Sequence, residues 1–180
     1  MMNRLSLFLG SLIALSGGAL YSSSVTAAEN LIMRGTLVDA PCLLRPGDEN
    51  LVLDFGGVID KLLYRYGRTP SKPFELHLEG CEVSVFRNVK VTFQGTDNAQ
   101  LPGLLALDAG SMAQGIAVGM ESNIGNALPI NVEGPTTALQ TGNTVLGFQA
   151  YVQGEPVALS SRRIAYGPFK ATATFILNYI

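Results

Sequence analysis

Phe169-Lys170-Ala171-Thr172-Ala173-Thr174-Phe175-Ile176-Leu177-Asn178-Tyr179-Ile180 decides the fold class of this chain. Its period is two. Ala171, Ala173, Phe175, Leu177 and Tyr179 share one face, and Thr172, Thr174, Ile176, Asn178 and Ile180 the other. The residues are mostly β-branched, aromatic or aliphatic, which suits a pleated surface. The sequence ends inside this strand, with no turn, charge cluster or polar tail after it. Upstream, the same alternation returns. Phe74, Leu76 and Leu78 interleave with Glu75, His77 and Glu79, and Val89-Lys90-Val91-Thr92-Phe93 follows suit. Further extended runs are predicted at Leu31 to Val38, Leu51 to Phe55, Gly115 to Met120 and Thr144 to Val152. The runs are short, and turn residues drawn from 20 glycines and 9 prolines separate them. Short strands with frequent turns predict an all-β sandwich or barrel. Only Asp60 to Tyr66 carries a helical signal worth a turn or two.

The front of the chain has a different character. Arg4 supplies a short positive region, and Leu5 to Leu20 is apolar and small without a charge. Small residues at Val25-Thr26-Ala27 or Thr26-Ala27-Ala28 then suit a signal peptidase. Residues 1–27 are therefore expected to be a secretory signal peptide, cleaved after residue 27 or 28. A membrane anchor is disfavoured, because Ser6, Gly10, Ser11, Ser16, Gly17 and Gly18 dilute a run that needs about 20 solidly apolar residues. Directly after the cleavage site the mature chain enters another apolar strand. Leu31, Met33, Gly35 and Leu37 fall on one face and Ile32, Arg34, Thr36 and Val38 on the other. Glycine inside a strand weakens it and marks either a bulge or the close approach of a bulky neighbour.

The formal net charge is −2, and loss of Arg4 makes the mature chain more acidic still. That balance excludes a basic nucleic-acid footprint. Cys42 and Cys81 are the two cysteines. In an exported chain an even pair points to a disulfide. Enzyme chemistry finds little support. The lone histidine, His77, lies on the polar face of an alternating strand and is expected to be solvated. No Cys–His cluster has metal-ligand spacing, so neither metal nor cofactor is expected. No nucleophile elbow is present. Asp54, Asp60, Asp97 and Asp108 are scattered beside turns, and Gly56-Gly57 lacks the Lys-Ser or Lys-Thr of a phosphate loop.

The stretch Gly167 to Ile180 resembles the terminal signature of chaperone–usher pilus subunits. In that family a glycine about a dozen residues from the end is followed by alternating apolar residues and a penultimate tyrosine. Tyr179 occupies that penultimate place. The Cys42 to Cys81 spacing is similar to the family's single disulfide. Val91-Thr92-Phe93-Gln94-Gly95, Gly115-Ile116-Ala117-Val118-Gly119 and Phe148-Gln149-Ala150-Tyr151-Val152 resemble its internal strands in order. The strand holding Gly35 resembles its N-terminal extension. The likeness covers essentially the whole mature chain.

The resemblance implies an incomplete immunoglobulin-like sandwich of six strands, the seventh supplied in trans. Residues 28–40 would be an N-terminal donor-strand extension and 41–180 the pilin domain. Leu31, Met33, Gly35 and Leu37 would enter a neighbour's groove, with Gly35 the small position. Ala171, Ala173, Phe175, Leu177 and Tyr179 would line or border this chain's own groove, and Ile180 would offer its carboxylate to a periplasmic chaperone. Cys42 and Cys81 would staple the early strands. The implied partners are that chaperone, an outer-membrane usher and neighbouring subunits. The implied route runs through the periplasm to a pilus on the cell surface. Tyr66-Gly67-Arg68-Thr69-Pro70 to Cys81, with Leu101-Pro102-Gly103, resembles adaptor-type minor subunits of the P-pilus kind, contributing to cell adhesion. Rod subunit and base terminator stay open beside it. The competing expectation is a secreted, lectin-like β-sandwich with a sugar platform near Tyr64 and Tyr66, stable alone as a monomer.

Overall fold

A computed structural model describes residues 40–180. The predicted strand at Leu31 to Val38 lies outside the described residues, as do the signal segment and the residues Leu31, Met33, Gly35 and Leu37. Among the described residues, nine strands and two short α-helices follow in the order β1 (Leu43–Leu44), α1 (Asp60–Tyr66), β2 (Lys72–Cys81), β3 (Asn88–Gln94), β4 (Asp97–Asn98), β5 (Leu101–Leu105), β6 (Ile116–Ser122), β7 (Thr137–Ala138), β8 (Gly142–Gly154), α2 (Pro156–Ser161) and β9 (Thr174–Tyr179). Three strands have only two residues, and the other six are five residues or longer. Of those six, β5 had no alternating signal, because Pro102 and Gly103 interrupt it.

Two antiparallel sheets form. One has the order β1-β2-β8-β6-β5-β4, the other β7-β3-β9. The inward faces are the apolar faces of the alternating runs. Leu76 and Leu78 of β2, Val89, Val91 and Phe93 of β3, Val118 of β6 and Leu146, Phe148 and Ala150 of β8 are buried together. Across the sheets, Phe93 meets Phe148 edge-on at 5.1 Å between ring centroids, and within the larger sheet Phe74 lies 5.6 Å from its register partner Phe148. Edge-to-face rings avoid overlap of their negative faces, which adds to the area they bury. A second cluster of Leu63, Ala113, Ile116, Val152, Ala158 and Ile164 plugs the end of the sandwich beneath α1 and α2. Helix α1 stops at Gly67, whose φ of 79° suits glycine and whose N–H caps the Leu63 carbonyl.

The disulfide expected from the cysteine pair is present. Cys42 and Cys81 are joined with a Cα–Cα distance of 4.1 Å across 39 positions of sequence. It ties the chain just before β1 to the end of β2.

Several expectations need correction. Leu51 to Phe55 is extended but belongs to no ladder among the described residues; only Leu53 and Phe55 pack against the core, while Val52 is 92% exposed. The final strand pairs only from Thr174. Residues 168–172 are instead pinned to the loop at 108–113. The Asp108 and Met112 N–H groups donate to the Lys170 and Pro168 carbonyls, and Thr172 donates from both its N–H and its hydroxyl to the Asp108 carboxylate. His77 is not a solvated surface histidine. Its backbone N–H donates to Asp48 Oδ2 at 2.7 Å and its ring Nδ1 lies 2.9 Å from the same oxygen.

Two buried carboxylates anchor this fold, and both make it acid-sensitive. Burial alone would push the Asp48 carboxyl up, but the hydrogen bonds from His77 and Arg45 outweigh it and hold it below its ordinary value. Burial likewise opposes ionisation of Glu121, and Arg68 and Ser71 overcome it. A carboxylate with a depressed folded pKa stabilises the fold above its unfolded pKa, and the contribution is lost as pH falls through the folded pKa. Stability measured by denaturant titration is therefore expected to be flat near neutrality and to decline below about pH 4. Asp48→Asn and Glu121→Gln should each lower stability at neutral pH and flatten that acid limb. An unchanged acid limb in both variants would contradict the assignment.

Candidate functional site

Strand β9 is the last strand of its sheet among the described residues, with β3 on one side and no strand on the other. Its register with β3 pairs Val89 with Tyr179, Val91 with Leu177 and Phe93 with Phe175. Asn88 and Ile180 exchange both of their backbone hydrogen bonds, at 3.0 and 2.9 Å. In an antiparallel ladder the bonded and non-bonded pairs alternate. Tyr179, Leu177 and Phe175 are therefore the non-bonded partners. Their backbone N–H and C=O groups point away from β3, toward the open edge, where they are available to a further strand.

The side chains of the same residues tell a matching story. On β3 the inward residues Val89, Val91 and Phe93 are 0%, 7% and 5% exposed. Their neighbours on β9 and before it, Ala171, Ala173, Phe175, Leu177 and Tyr179, all face the core and pack against it, yet every one stays only half-buried. One row of a core face is thus buried and the adjacent row is incompletely covered. The phenol of Tyr179 is partly desolvated, which raises its pKa. Leu53 and Phe55, from the unpaired segment, are half-buried against the same core, and the Phe55 ring lies 6.3 Å from Phe169. Among the described residues no backbone-to-backbone hydrogen bond outside helices and strands involves residues 51–58. An apolar strip with unsatisfied edge groups is a template for strand addition and, left bare, for aggregation.

The five residues predicted to border a groove therefore do share one half-covered row. Ile180 sits at its end with 45% of its surface exposed, and its carbonyl oxygen accepts from the Arg87 and Asn88 N–H groups.

Chemistry-bearing residues do not converge into a catalytic arrangement among the described residues. Asp54, Asp60, Asp97 and Asp108 accept hydrogen bonds in loops and in the first turn of α1. Sequence reasoning missed the polar cluster on the outer face of the larger sheet. There Arg68 donates to both oxygens of buried Glu121, from Nη2 to Oε1 at 3.0 Å and from Nη1 to Oε2 at 3.1 Å, and stacks 3.6 Å above the Tyr151 ring. Ser71 closes the cluster onto Glu121. Gly119 makes room for it, because a Cβ there would lie 2.2 Å from a Tyr151 ring carbon. Partners 53 positions apart leave no local signal in sequence.

Comparison with known proteins gives a consistent result. The family described as "Fimbrial protein" matches residues 31–180. The Major MR/P fimbria protein of Proteus mirabilis is 31% identical over 99% of this chain and 98% of its own length. The fimbrial adapter PapK of Escherichia coli is 32% identical over 89% of this chain and 93% of its own. Among solved structures, the P pilus rod subunit PapA superposes with a TM-score of 0.67 at 23% identity, over 78% of this chain and all of that one. This last likeness speaks to the fold, an immunoglobulin-like sandwich.

Proposed function

We infer, from the premise that this chain belongs to the fimbrial protein family, that it is a minor subunit of a chaperone–usher pilus which polymerises by donor-strand exchange. The observation that carries this reading is the half-covered row Ala171, Ala173, Phe175, Leu177 and Tyr179 beside an open strand edge. A seventh strand from outside would satisfy the edge groups of Phe175, Leu177 and Tyr179 and cover their side chains. Main-chain hydrogen bonds would provide affinity and alternate side-chain pockets specificity. The strand would come first from a periplasmic chaperone and then, at an outer-membrane usher, from the next subunit. In turn, Leu31, Met33, Gly35 and Leu37 would fill the groove of another subunit. The exported chain would pass through the periplasm and end in a surface pilus that contributes to adhesion.

An adaptor position is supported by the likeness to PapK and by the segment Tyr66 to Cys81. The broader likeness to a major fimbria protein, at similar identity, favours a rod position as the second reading. Gly35→Leu separates donor from acceptor roles. A leucine side chain at the small donor position is expected to block insertion into the next groove while leaving this chain's own chaperone complex intact. Co-purification with chaperone and fibre assembly, measured side by side, check this. Normal polymerisation of the variant would count against the donor assignment. Immunogold label on the native chain at a few sites near the tip supports the adaptor position; label along the shaft assigns it to the rod.

A further inference from the structure

A second site lies at the end of the sandwich, between α1 and the segment following α2. Asp60, Lys61, Tyr64, Arg65, Arg162 and Tyr166 line an open cleft of about 520 Å³. Small-molecule clefts run from about 300 to 1,000 Å³. Three of the six residues are cations in a protein of net charge −2. None of Lys61, Arg65 and Arg162 makes a salt bridge among the described residues. The one carboxylate present is already engaged. Asp60 Oδ2 accepts from the Tyr166 hydroxyl at 3.0 Å, and its Oδ1 accepts from the Lys61 N–H at 2.8 Å. Three cations against the single charge of Asp60 leave the cleft with a net positive charge.

Its walls are held in place. The Tyr64 hydroxyl accepts from the Ile164 N–H at 3.3 Å, which ties α1 to the far wall. Arg162 adopts the left-handed conformation at φ 54°, rare for a residue with this side chain. That turn sets its guanidinium 5.5 Å from the centre of the Tyr64 ring. The Tyr166 ring lines the cleft, is anchored by its hydroxyl and is nonetheless 70% exposed.

We propose that this cleft binds a carboxylate-bearing pyranose, the acidic unit of a saccharide chain. The guanidinium forks of Arg162 and Arg65 match a carboxylate in shape and charge. The Tyr166 face suits the C–H face of a sugar ring, and Lys61 reaches ring hydroxyls as a donor. An acidic peptide satisfies the cations but offers no flat, weakly polar face to the tyrosine, so the saccharide fits better.

The test is titration of the full chain, in its assembled form, with a hyaluronan hexasaccharide. A neutral cellohexaose and a hexaglutamate peptide serve as comparisons. Saturable binding of the acidic saccharide alone is expected. Arg162→Gly removes the guanidinium and suits the left-handed backbone, so the fold is preserved; affinity should drop about tenfold or more. Tyr166→Ala should weaken binding comparably, while Tyr166→Phe, which keeps the ring face, should weaken it less. No saturable binding would overturn the proposal. Equal binding of hexaglutamate, or indifference to both Arg162→Gly and Tyr166→Ala, would overturn it as well.

Discussion

The mature chain produced without a strand from outside is expected to aggregate or be degraded, and a peptide that copies a pilus N-terminal extension to rescue it. Residues 28–40 of this chain are one such peptide. The expectation follows from the row on β9. Burying a leucine or methionine side chain contributes roughly 1.5–3 kcal/mol. A donor that places three such residues against the row adds an amount comparable to the whole stability of an ordinary domain, about 5–15 kcal/mol. The backbone bonds to Phe175, Leu177 and Tyr179 add to this. Soluble yield and thermal melting, with and without peptide, measure the effect. A soluble, sharply melting monomer that ignores the peptide would sink the account and favour a self-sufficient binding module.

Loss of the disulfide should have the next largest effect. The bridge from Cys42 to Cys81 closes a loop spanning 39 positions. Restricting such a loop in the unfolded chain is worth roughly 4 kcal/mol in the chain-entropy picture. The bridge also acts where the fold needs it. It fixes the chain beside β1, just before a segment, residues 51–58, that makes no backbone-to-backbone hydrogen bond among the described residues. Cys42→Ser combined with Cys81→Ser, compared with the parent in peptide-complemented form by denaturant titration, should lose about 3–4 kcal/mol. A loss below about 1 kcal/mol would show that ladder and core hold the first strands unaided.

How much of this was legible in the sequence depended on range. The period-two faces of β2, β3 and β9 could be read directly, because alternation is a local property and tertiary packing preserved it. Asp60 to Tyr66 was readable as a helical turn or two. Helix α2 was not, since six residues starting at Pro156 bury only Ala158 and carry no period. The environment of His77 was hidden for a different reason. Asp48, 29 positions away, turns a polar strand face into a half-buried hydrogen-bonded pair. The Arg68, Glu121 and Tyr151 cluster and the cleft at Arg162 share that origin. Each joins segments that only the folded sheet brings together. The open row on β9 was legible as a pattern, while its half-burial was not. An alternating strand looks the same in sequence whether a neighbour covers its edge or not.

The central claim is that the free edge of β9 accepts a strand supplied from outside. Amide hydrogen exchange at Phe175, Leu177 and Tyr179 tests it most directly, in dilute, freshly refolded chain titrated with the donor peptide. These three amides should exchange quickly without peptide and become strongly protected with it, while Asn178 and Ile176, already facing β3, change far less. Equal protection of all five amides before and after the peptide would show that the edge is closed within the chain itself, and would contradict the account.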